Sequence, residues 1–263
     1  MIVKDTGTWS VELAAEVLLG AEASCAEIEP LSDSWGDFDL AAAYAVQDET
    51  LRRRLDRGER LAGVKLGLTS RAKQQRMGIS SPLTAWLTDA MVLPSGAAVP
   101  RDQLIHPRAE PEIVFVLGSR LAGPGVSAVT ALAAVESVWC GIEVIDSRYR
   151  GFRFTLPDVV ADNASSGAFV TGPVGVAPAG LDLSLEGCLL EVNGQVVDSA
   201  TGAAVQGHPA EALALAANDL GRRGLALEPG WTVLTGGMTD AVACPAGVSV
   251  AAHFSSLGSV FLP

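Results

Sequence analysis

The sequence predicts an α+β protein, in which a helical region over residues 1–60 precedes a mixed β-roll or β-sandwich core over residues 61–263. The first 60 residues are rich in Ala, Leu and Glu in helix-like patterns. From about Gly63 the chain changes to short apolar stretches separated by Gly and Pro. The order of these stretches lacks the regular strand–helix–strand alternation of a doubly wound sheet, which favours a mixed sheet with flanking helices.

Two helices are predicted in the N-terminal region, over residues 11–29 and from Leu40 to Leu55. Asp37 and Asp39 are candidate caps for the second helix. The residues at helical spacing in this segment are Leu40, Ala43, Tyr44, Gln47, Leu51 and Leu55. Two later helices are predicted near residues 127–137 and 209–222, the second with Pro209 in its first turn.

Short apolar stretches predict the strands of the core. Asn193-Gly194 separates two alternating segments and is typical of a tight β-hairpin. The predicted strands are 63–68, 111–117, 139–145, 168–172, 187–198, 231–235, 247–253 and 258–262.

Composition narrows the class of protein. Of 263 residues, 49% are hydrophobic and 18% charged, which suffices for a sizeable core. A net charge of -12 argues against nucleic-acid binding but leaves an anionic substrate possible if a cation is bound. Apolar runs fall short of the roughly 18 residues of a membrane span. The acidic N-terminal sequence differs from a secretory signal, so we predict a cytoplasmic protein with no membrane partner.

The cysteines and histidines indicate which metal chemistry to expect. The four cysteines form no CxxC pair, which favours reduced, buried thiols. The three histidines form no HExxH or similar ligand pair. If a metal binds, its ligands should therefore be oxygens, which suits magnesium or manganese better than zinc.

The segment HPRAEPEIVFVL carries two acids where an apolar strand begins. Glu110 and Glu112 stand two residues apart, so both carboxylates face one side of an extended chain. Two acids on one side of an apolar strand repel each other unless a cation lies between them. The alternative is a solvated strand entrance, in which Pro111 twists both acids into water.

A third acid, Glu143, lies within the apolar run IEVI. A carboxylate in such a run requires a cation or an arginine partner, and Arg148 is the candidate for a plain ion pair. In the first case, Glu110, Glu112 and Glu143 would leave open positions for substrate on an octahedral magnesium ion.

Lys65 similarly interrupts an apolar strand, and buried lysines are paired or functional. The alternative is an edge-strand lysine whose amine reaches solvent. Two further segments, DVVADNASS at 158–166 and Thr235-Gly236-Gly237, could line a site or form plain turns. Asp89 has no local feature that indicates a role.

Eight motifs in order, from about Ala43 to Val260, resemble the hydratase and decarboxylase branch of the fumarylacetoacetate hydrolase superfamily. They are GVKLGLTS, LTD, HPRAEPEIVFVL, EVIDSRY, VVADNASS, GHP, TGG and LGSV. The resemblance implies a β-roll core, homo-oligomers, and a possible complex with a pathway hydratase. It implies Mg²⁺ or Mn²⁺ on Glu110, Glu112 and Glu143, with Lys65 and Asp89 near the substrate. The DNASS and TGG segments, which include Ser165 and Thr235, would form pocket walls.

The resemblance also implies an activity on a small 2-oxo acid. The segment around EVIDSRYRGFRF is closer to the decarboxylases, so we expect metal-dependent decarboxylation of 2-oxo-3-hexenedioate in aromatic meta-cleavage catabolism. Arg153 or Arg148 would hold the distal carboxylate of this dicarboxylate. Arg153 could instead be an exposed loop residue.

Three other functions stay open at this point. The same site could hydrate 2-hydroxypenta-2,4-dienoate. A C–C hydrolase would pair a histidine such as His106 with a glutamate. A scaffolding partner of a pathway enzyme, the alternative from another class, would carry a degraded site.

Overall fold

The computed structural model of the protein describes residues 9–70, 74–75, 78–79 and 82–263. In these residues the helices are α1 (Val11–Ala23), α2 (Leu40–Asp56), α3 (Ala128–Ala133), α4 (Leu156–Ala161) and α5 (Pro209–Arg222). The strands are β1 (Leu61–Gly67), β2 (Leu83–Thr88), β3 (Arg108–Leu117), β4 (Val135–Ile145), β5 (Ser166–Thr171), β6 (Gly187–Val192), β7 (Gln195–Thr201), β8 (Thr232–Leu234), β9 (Val242–Ala243), β10 (Val250–Phe254) and β11 (Gly258–Leu262).

The strands form two sheets. The larger, a curled half-barrel, has the order β2-β1-β8-β3-β4-β5, with β9 paired to β3. The smaller has the order β11-β10-β6-β7. Only the β1–β8 pairing is parallel among the named strands. The predicted α+β class with a mixed β-roll core of the fumarylacetoacetate hydrolase type is therefore confirmed.

Strand β3 is buried on both faces, and this is what positions the site. One face carries Ile113 and Phe115 into the main core, which also contains Leu190 of β6 and Leu213 of α5. The opposite face carries Val114 into a second, smaller cluster. Its other members are Leu87, Met91, Phe169 and Leu234. The predicted acids lie along this second face, because alternate residues of a strand face the same side.

The N-terminal helices pack against residues that follow β4. Side chains of α1 and α2 share an apolar cluster with α4 and the fully buried Tyr149. The carboxylate of Asp39 caps α2 by accepting the N–H of Ala42 at 2.8 Å, as the sequence predicts. Helix α1 ends six residues before the predicted end at residue 29. Cys25 has a φ of 48°, outside the helical region, and Ile28 pairs with Tyr149 as an extended segment.

Other boundaries also differ from the sequence-based expectation. The predicted helix 127–137 ends at Ala133, because Val135 already begins β4 and pairs with Leu117. Strand β2 and helix α4 were not expected. The hairpin is confirmed, since Asn193 and Gly194 both have positive φ, as a type I′ turn requires. Within the described residues, no helix is long and apolar enough to cross a membrane.

Candidate metal centre

Three glutamates come together on neighbouring strands β3 and β4. Glu110 lies directly opposite Glu143 in the antiparallel register, and Glu112 lies opposite Gly141. One carboxylate oxygen from each glutamate lies within 4.8 Å of the other two. Gly141 is required here, because a Cβ atom at this position would lie 2.5 Å from Val114 Cγ2.

All three carboxylates are removed from solvent. Glu112 is 0% exposed, Glu143 1% and Glu110 8%. Burial raises the pKa of Glu112 well above its usual range, and the charges of Glu143 and Glu110 raise that pKa further. Burial also raises the pKa of Glu143, although the nearby Lys65 ammonium opposes this shift. The solvated strand entrance considered as an alternative is therefore wrong.

Lys65 is a buried cation that contacts Glu143. Its Nζ atom lies 2.9 Å from Oε1 and 3.1 Å from Oε2 of Glu143. The side chain is buried, and β1 lies between β2 and β8, so Lys65 does not belong to an edge strand. Glu143 therefore pairs with Lys65 and not with Arg148. Together with Lys65, the three glutamates form the acidic cluster of this protein.

The Thr235-Gly236-Gly237 segment, which follows β8, packs closely against two of the acids. The N–H of Gly236 donates to Glu112 Oε2 at 2.7 Å. A Cβ atom on Gly237 would lie 2.1 Å from Glu110 Oε2, so a larger residue there would displace the Glu110 carboxylate. The Thr235 hydroxyl donates to the Ile113 carbonyl at 2.7 Å, which fixes the segment on β3.

The donor set of the acidic cluster fits a divalent cation. Glu112 Oε1 is buried and has no hydrogen-bond partner in the part of the chain that the structure describes. Buried polar atoms normally have a partner, so this oxygen requires an explanation. The charges of Glu143 and Glu110 raise the Glu112 pKa, so these carboxylates also repel one another. A hard cation such as Mg²⁺ or Mn²⁺ answers both features, since it prefers carboxylate oxygens.

Two of the predicted site residues lie in surface ion pairs instead. Asp89 accepts the backbone N–H of Arg60 at 2.8 Å and its Nε at 2.9 Å, and these hydrogen bonds lower the Asp89 pKa. The Arg153 side chain is 56% exposed, and its Nη2 lies 2.7 Å from Glu29 and 2.6 Å from Asp33. The structure does not bring either residue into contact with the acidic cluster.

Arg148 forms a second buried group with Asp162. Its Nε donates to the Asp162 carboxylate and its Nη2 to the Asp162 carbonyl. Its Nη1 donates to the carbonyls of Asp146, at 2.6 Å, and Ser166, at 2.9 Å. Ser165 joins this group through a hydroxyl contact of 3.4 Å to Asp162. The predicted substrate contacts of Arg148 and Ser165 stay predictions, because all three guanidinium nitrogens already have protein acceptors.

The DNASS segment supports the site through its backbone shape. Asn163, Ala164 and Ser165 have φ values of 50°, 49° and 58°, a rare left-handed run for residues other than glycine. The Asn163 side chain accepts the N–H of Trp86 at 2.8 Å and donates to its carbonyl at 2.8 Å. It thereby ties the turn to β2. Sequence reasoning assigned polar groups to this segment but missed the pairing with β2.

His106 has an aromatic and an acidic neighbour. Its ring centroid lies 4.7 Å from that of Phe152, and its Nδ1 lies 3.6 Å from Glu27 Oε2. Among the described residues, the group of acids, histidines and cysteines that could hold a metal is the glutamate trio alone. His106 is therefore not a metal ligand in this arrangement.

A curled half-barrel that buries three glutamates beside a lysine is typical of a metal-dependent enzyme whose cation is held by carboxylate side chains. The sequence confirms this class, because residues 61–261 match the family model described as "Fumarylacetoacetate (FAA) hydrolase C-terminal". The chain belongs to the fumarylacetoacetate hydrolase family.

Individual relatives agree with this assignment. The chain is 43% identical to a 4-oxalocrotonate decarboxylase of Pseudomonas sp. (strain CF600), over 94% of this chain and 93% of that protein. It is 44% identical to a 2-hydroxypent-2,4-dienoate hydratase of Pseudomonas putida, over 76% of this chain and 90% of that protein. The 4-oxalocrotonate decarboxylase from Pseudomonas putida G7, solved with magnesium and adipate, superposes with a TM-score of 0.93 at 40% identity, covering 96% of both chains.

Proposed function

We propose that this protein is a divalent-metal-dependent lyase that decarboxylates 2-oxo-3-hexenedioate to 2-hydroxypenta-2,4-dienoate. The observation that carries the proposal is the buried acidic cluster, in which three carboxylates lie beside Lys65 and Glu112 Oε1 has no hydrogen-bond partner among the described residues. The similarity to 4-oxalocrotonate decarboxylases over almost the whole chain supports this substrate. The solved relative with magnesium and adipate supports a six-carbon dicarboxylate.

The reaction breaks the bond between C5 and the distal carboxylate carbon, C6. The electron pair of that bond forms the C4–C5 double bond, and the C3–C4 double bond shifts to C2–C3. Negative charge then develops on the 2-oxo oxygen, which takes up a proton to give the dienol, and carbon dioxide leaves. A cation held by Glu110, Glu112 and Glu143 would draw electrons towards C2.

The protein residues around the cluster would hold and stabilise this charge. We propose that Lys65 donates a hydrogen bond to the developing oxyanion, because its ammonium is buried and already lies beside Glu143. Gly236 holds Glu112 in orientation through its N–H. The apolar residues of the same face, including Phe169 and Leu234, exclude water from the reacting carbons. Asp89 and Thr235 stay proposed neighbours of the substrate.

Hydration of 2-hydroxypenta-2,4-dienoate is the second candidate function. The 44% identity to a 2-hydroxypent-2,4-dienoate hydratase specifically favours it. Both reactions need the same electron withdrawal at C2, so the acidic cluster serves either one. The intact cluster argues against a scaffolding protein with a degraded site.

Incubation with each substrate separates the two reactions. The purified protein with Mg²⁺ should release carbon dioxide from 2-oxo-3-hexenedioate, with the absorbance of the dienol appearing at the same rate. EDTA should stop the release. Rapid hydration of 2-hydroxypenta-2,4-dienoate without carbon dioxide from the dicarboxylate would instead establish the hydratase. A second protein that is activated by this chain, with neither reaction by the chain alone, would establish the scaffold.

We further propose a division into a helical region, 1–60, and a catalytic β-roll domain, 61–263. The family model supports this boundary, since it begins at residue 61. A cytoplasmic location agrees with four free cysteines. Assembly into homo-oligomers agrees with exposed apolar side chains such as Val196 and Phe261. A complex with the hydratase of the next step is proposed from the family resemblance.

A further inference from the structure

A dicarboxylate substrate needs a second cationic group, because the acidic cluster serves one end of the molecule only. Arg153 and Arg148 were the candidates that the sequence offered. Arg153 is held by Glu29 and Asp33, and Arg148 by Asp162 and backbone carbonyls. Both would have to give up existing partners before they could bind a substrate carboxylate.

Another arginine lies on the same face as the acids. Arg108 begins β3 two residues before Glu110, so both side chains leave the strand on one side. It lies opposite Ile145, which is likewise two residues beyond Glu143 on β4. Arg108 therefore occupies the next row of the surface that carries the acidic cluster.

This end of the face is its more exposed end along β3. Exposure increases along β3 from Glu112, at 0%, through Glu110, at 8%, to Arg108, which is exposed. A substrate bound at the cluster with one end would extend towards Arg108 with the other. The two-residue repeat of a strand is about 6.6 Å, which is comparable with the separation of the two carboxyl carbons in an extended six-carbon diacid.

The Arg108 guanidinium is positioned but not neutralised. Its Cζ atom lies 4.0 Å from the ring centroid of Phe152, so the two planes can stack. In the described part of the chain, no carboxylate lies within ion-pair distance of Arg108. The preceding loop is also fixed, because the Asp146 carboxylate accepts the N–H of Ile105 at 2.9 Å and that of His106 at 2.8 Å.

We propose that Arg108 binds the distal carboxylate of the substrate and thereby selects dicarboxylates. This inference rests on the proposed decarboxylase function, since only that substrate has a second carboxylate. A guanidinium donates two parallel hydrogen bonds to a carboxylate, and stacking on Phe152 leaves the edge donors available. Arg108 is a specificity-determining residue, and it takes no part in the bond that breaks.

The test measures binding at both ends of the site in the magnesium-loaded full-length protein. Arg108→Gln should raise the KM for 2-oxo-3-hexenedioate and the Kd for adipate by about 10- to 100-fold, because a charged hydrogen-bonding partner is lost. The Kd for oxalate, which resembles only the 2-oxo acid end, should stay unchanged. The KM and the Kd for adipate of Arg108→Lys should lie between those of the wild type and those of Arg108→Gln, because lysine keeps the charge but loses the paired donors.

Two further arginine variants make the result specific. Arg120 is exposed and pairs with Glu228, so Arg120→Gln should leave all three constants unchanged. Arg153→Gln tests the competing assignment. If Arg153→Gln weakens adipate binding and Arg108→Gln does not, the proposal for Arg108 is wrong. Equal losses for adipate and oxalate in Arg108→Gln would also overturn it, because they would indicate a general disturbance of the site.

The same measurements separate this proposal from the proposed function. Decarboxylation that is unaffected by Arg108→Gln would retain the function and reject the role of Arg108. Arg108-dependent binding of adipate without any decarboxylation by the wild type would support the carboxylate site and reject the function. A wild type that neither decarboxylates the dicarboxylate nor binds adipate would reject both.

Discussion

The protein buries two groups of charged side chains, the acidic cluster between β3 and β4 and the Arg148–Asp162 group between β4 and α4. In the second group one arginine faces one aspartate, and each nitrogen of the guanidinium has an acceptor. In the acidic cluster three carboxylates lie together, Lys65 pairs with Glu143, and Glu112 Oε1 has no hydrogen-bond partner among the described residues.

Burial of charge does not by itself identify a functional site. Both groups are almost fully buried, and both lie next to the same strand. The Arg148–Asp162 group is balanced in charge and in hydrogen bonds, so it is complete without a ligand. In the acidic cluster, Glu112 Oε1 has no hydrogen-bond partner among the described residues, and the neighbouring carboxylates raise the Glu112 pKa. A bound cation would relieve both features.

The largest effect is expected from Glu112→Gln, which removes one of the mutually repelling carboxylates of the acidic cluster. Metal-dependent turnover should fall by about 1000-fold, because a neutral amide is a poor ligand for a hard cation. The free energy of unfolding without metal should stay the same or rise, because repulsion among the acids is relieved. Steady-state kinetics with Mg²⁺ and urea unfolding in EDTA measure the two effects. Wild-type turnover in this variant would remove Glu112 from the metal centre.

The opposite response is expected from Asp162→Asn, which breaks the balanced group. The free energy of unfolding should decrease by about 3–5 kcal/mol, because Arg148 is left as an uncompensated buried charge. Turnover per folded molecule should change far less than in Glu112→Gln. Urea unfolding monitored by tryptophan fluorescence gives the first quantity. Intact stability together with a raised KM would instead place the Arg148–Asp162 group in the substrate site.

Lys65→Met removes the only cation in the described acidic cluster. The turnover number should fall by about 100-fold, because the developing oxyanion loses its hydrogen-bond donor. Metal affinity should not weaken, because the three carboxylates remain and their repulsion increases. Isothermal titration with Mg²⁺ measures the affinity, and single-turnover kinetics measure the chemical step. A loss of metal affinity without a slower chemical step would assign Lys65 to the metal site alone.

The smallest effect is expected in the pH dependence of the stability of the metal-free protein. Glu112 and Glu143 have raised pKa values in the fold, relative to 4.5 for an ordinary glutamate. The folded state therefore binds protons more tightly than the unfolded state, and stability is lost as the pH rises above about 4.5. Mg²⁺ should reverse this loss, because it requires ionised ligands.

Thermal unfolding with and without EDTA tests the direction in which stability changes with pH. Mg²⁺ should raise Tm more at about pH 8 than at about pH 5. Each additional kcal/mol by which Mg²⁺ stabilises the fold corresponds to about 2–4 °C in Tm. Glu112→Gln is the control, because the increase in Tm caused by Mg²⁺ should change less with pH in this variant. An increase in Tm that is constant over this range would show that the acids are not linked to metal binding.

Several features of the site could be predicted from local sequence. The two-residue spacing of Glu110 and Glu112 at the start of an apolar strand placed both acids on one face, because side chains alternate along any strand. Glu143 and Lys65 were selected because charge inside an apolar run needs a partner. The prediction that glycines after β8 allow a close approach also agrees with the contacts of Gly236 and Gly237.

Other features had no local signal. Asp162 carries nothing in its neighbourhood that identifies it as the partner of Arg148, and Asn163 carries nothing that indicates its bonds to Trp86. Strand β2 was missed because its sequence LTAWLT, which is buried throughout, lacks the alternation of polar and apolar residues that indicates a strand. The end of α1 was misplaced because pairing of Ile28 with Tyr149 overrides its helical composition.

The α+β class, the acids and lysine of the acidic cluster, and the oxygen-ligand chemistry could be predicted from local sequence, because they follow from periodicity and from the cost of burying charge. Which charges meet depends on the tertiary fold. Antiparallel register sets Glu110 against Glu143, and a separate contact gives Arg148 to Asp162. Arg108 is left without a carboxylate in the described chain for the same reason. Ion pairs form between residues that are distant in sequence, so the partner of each charge depends on the packing of the whole chain.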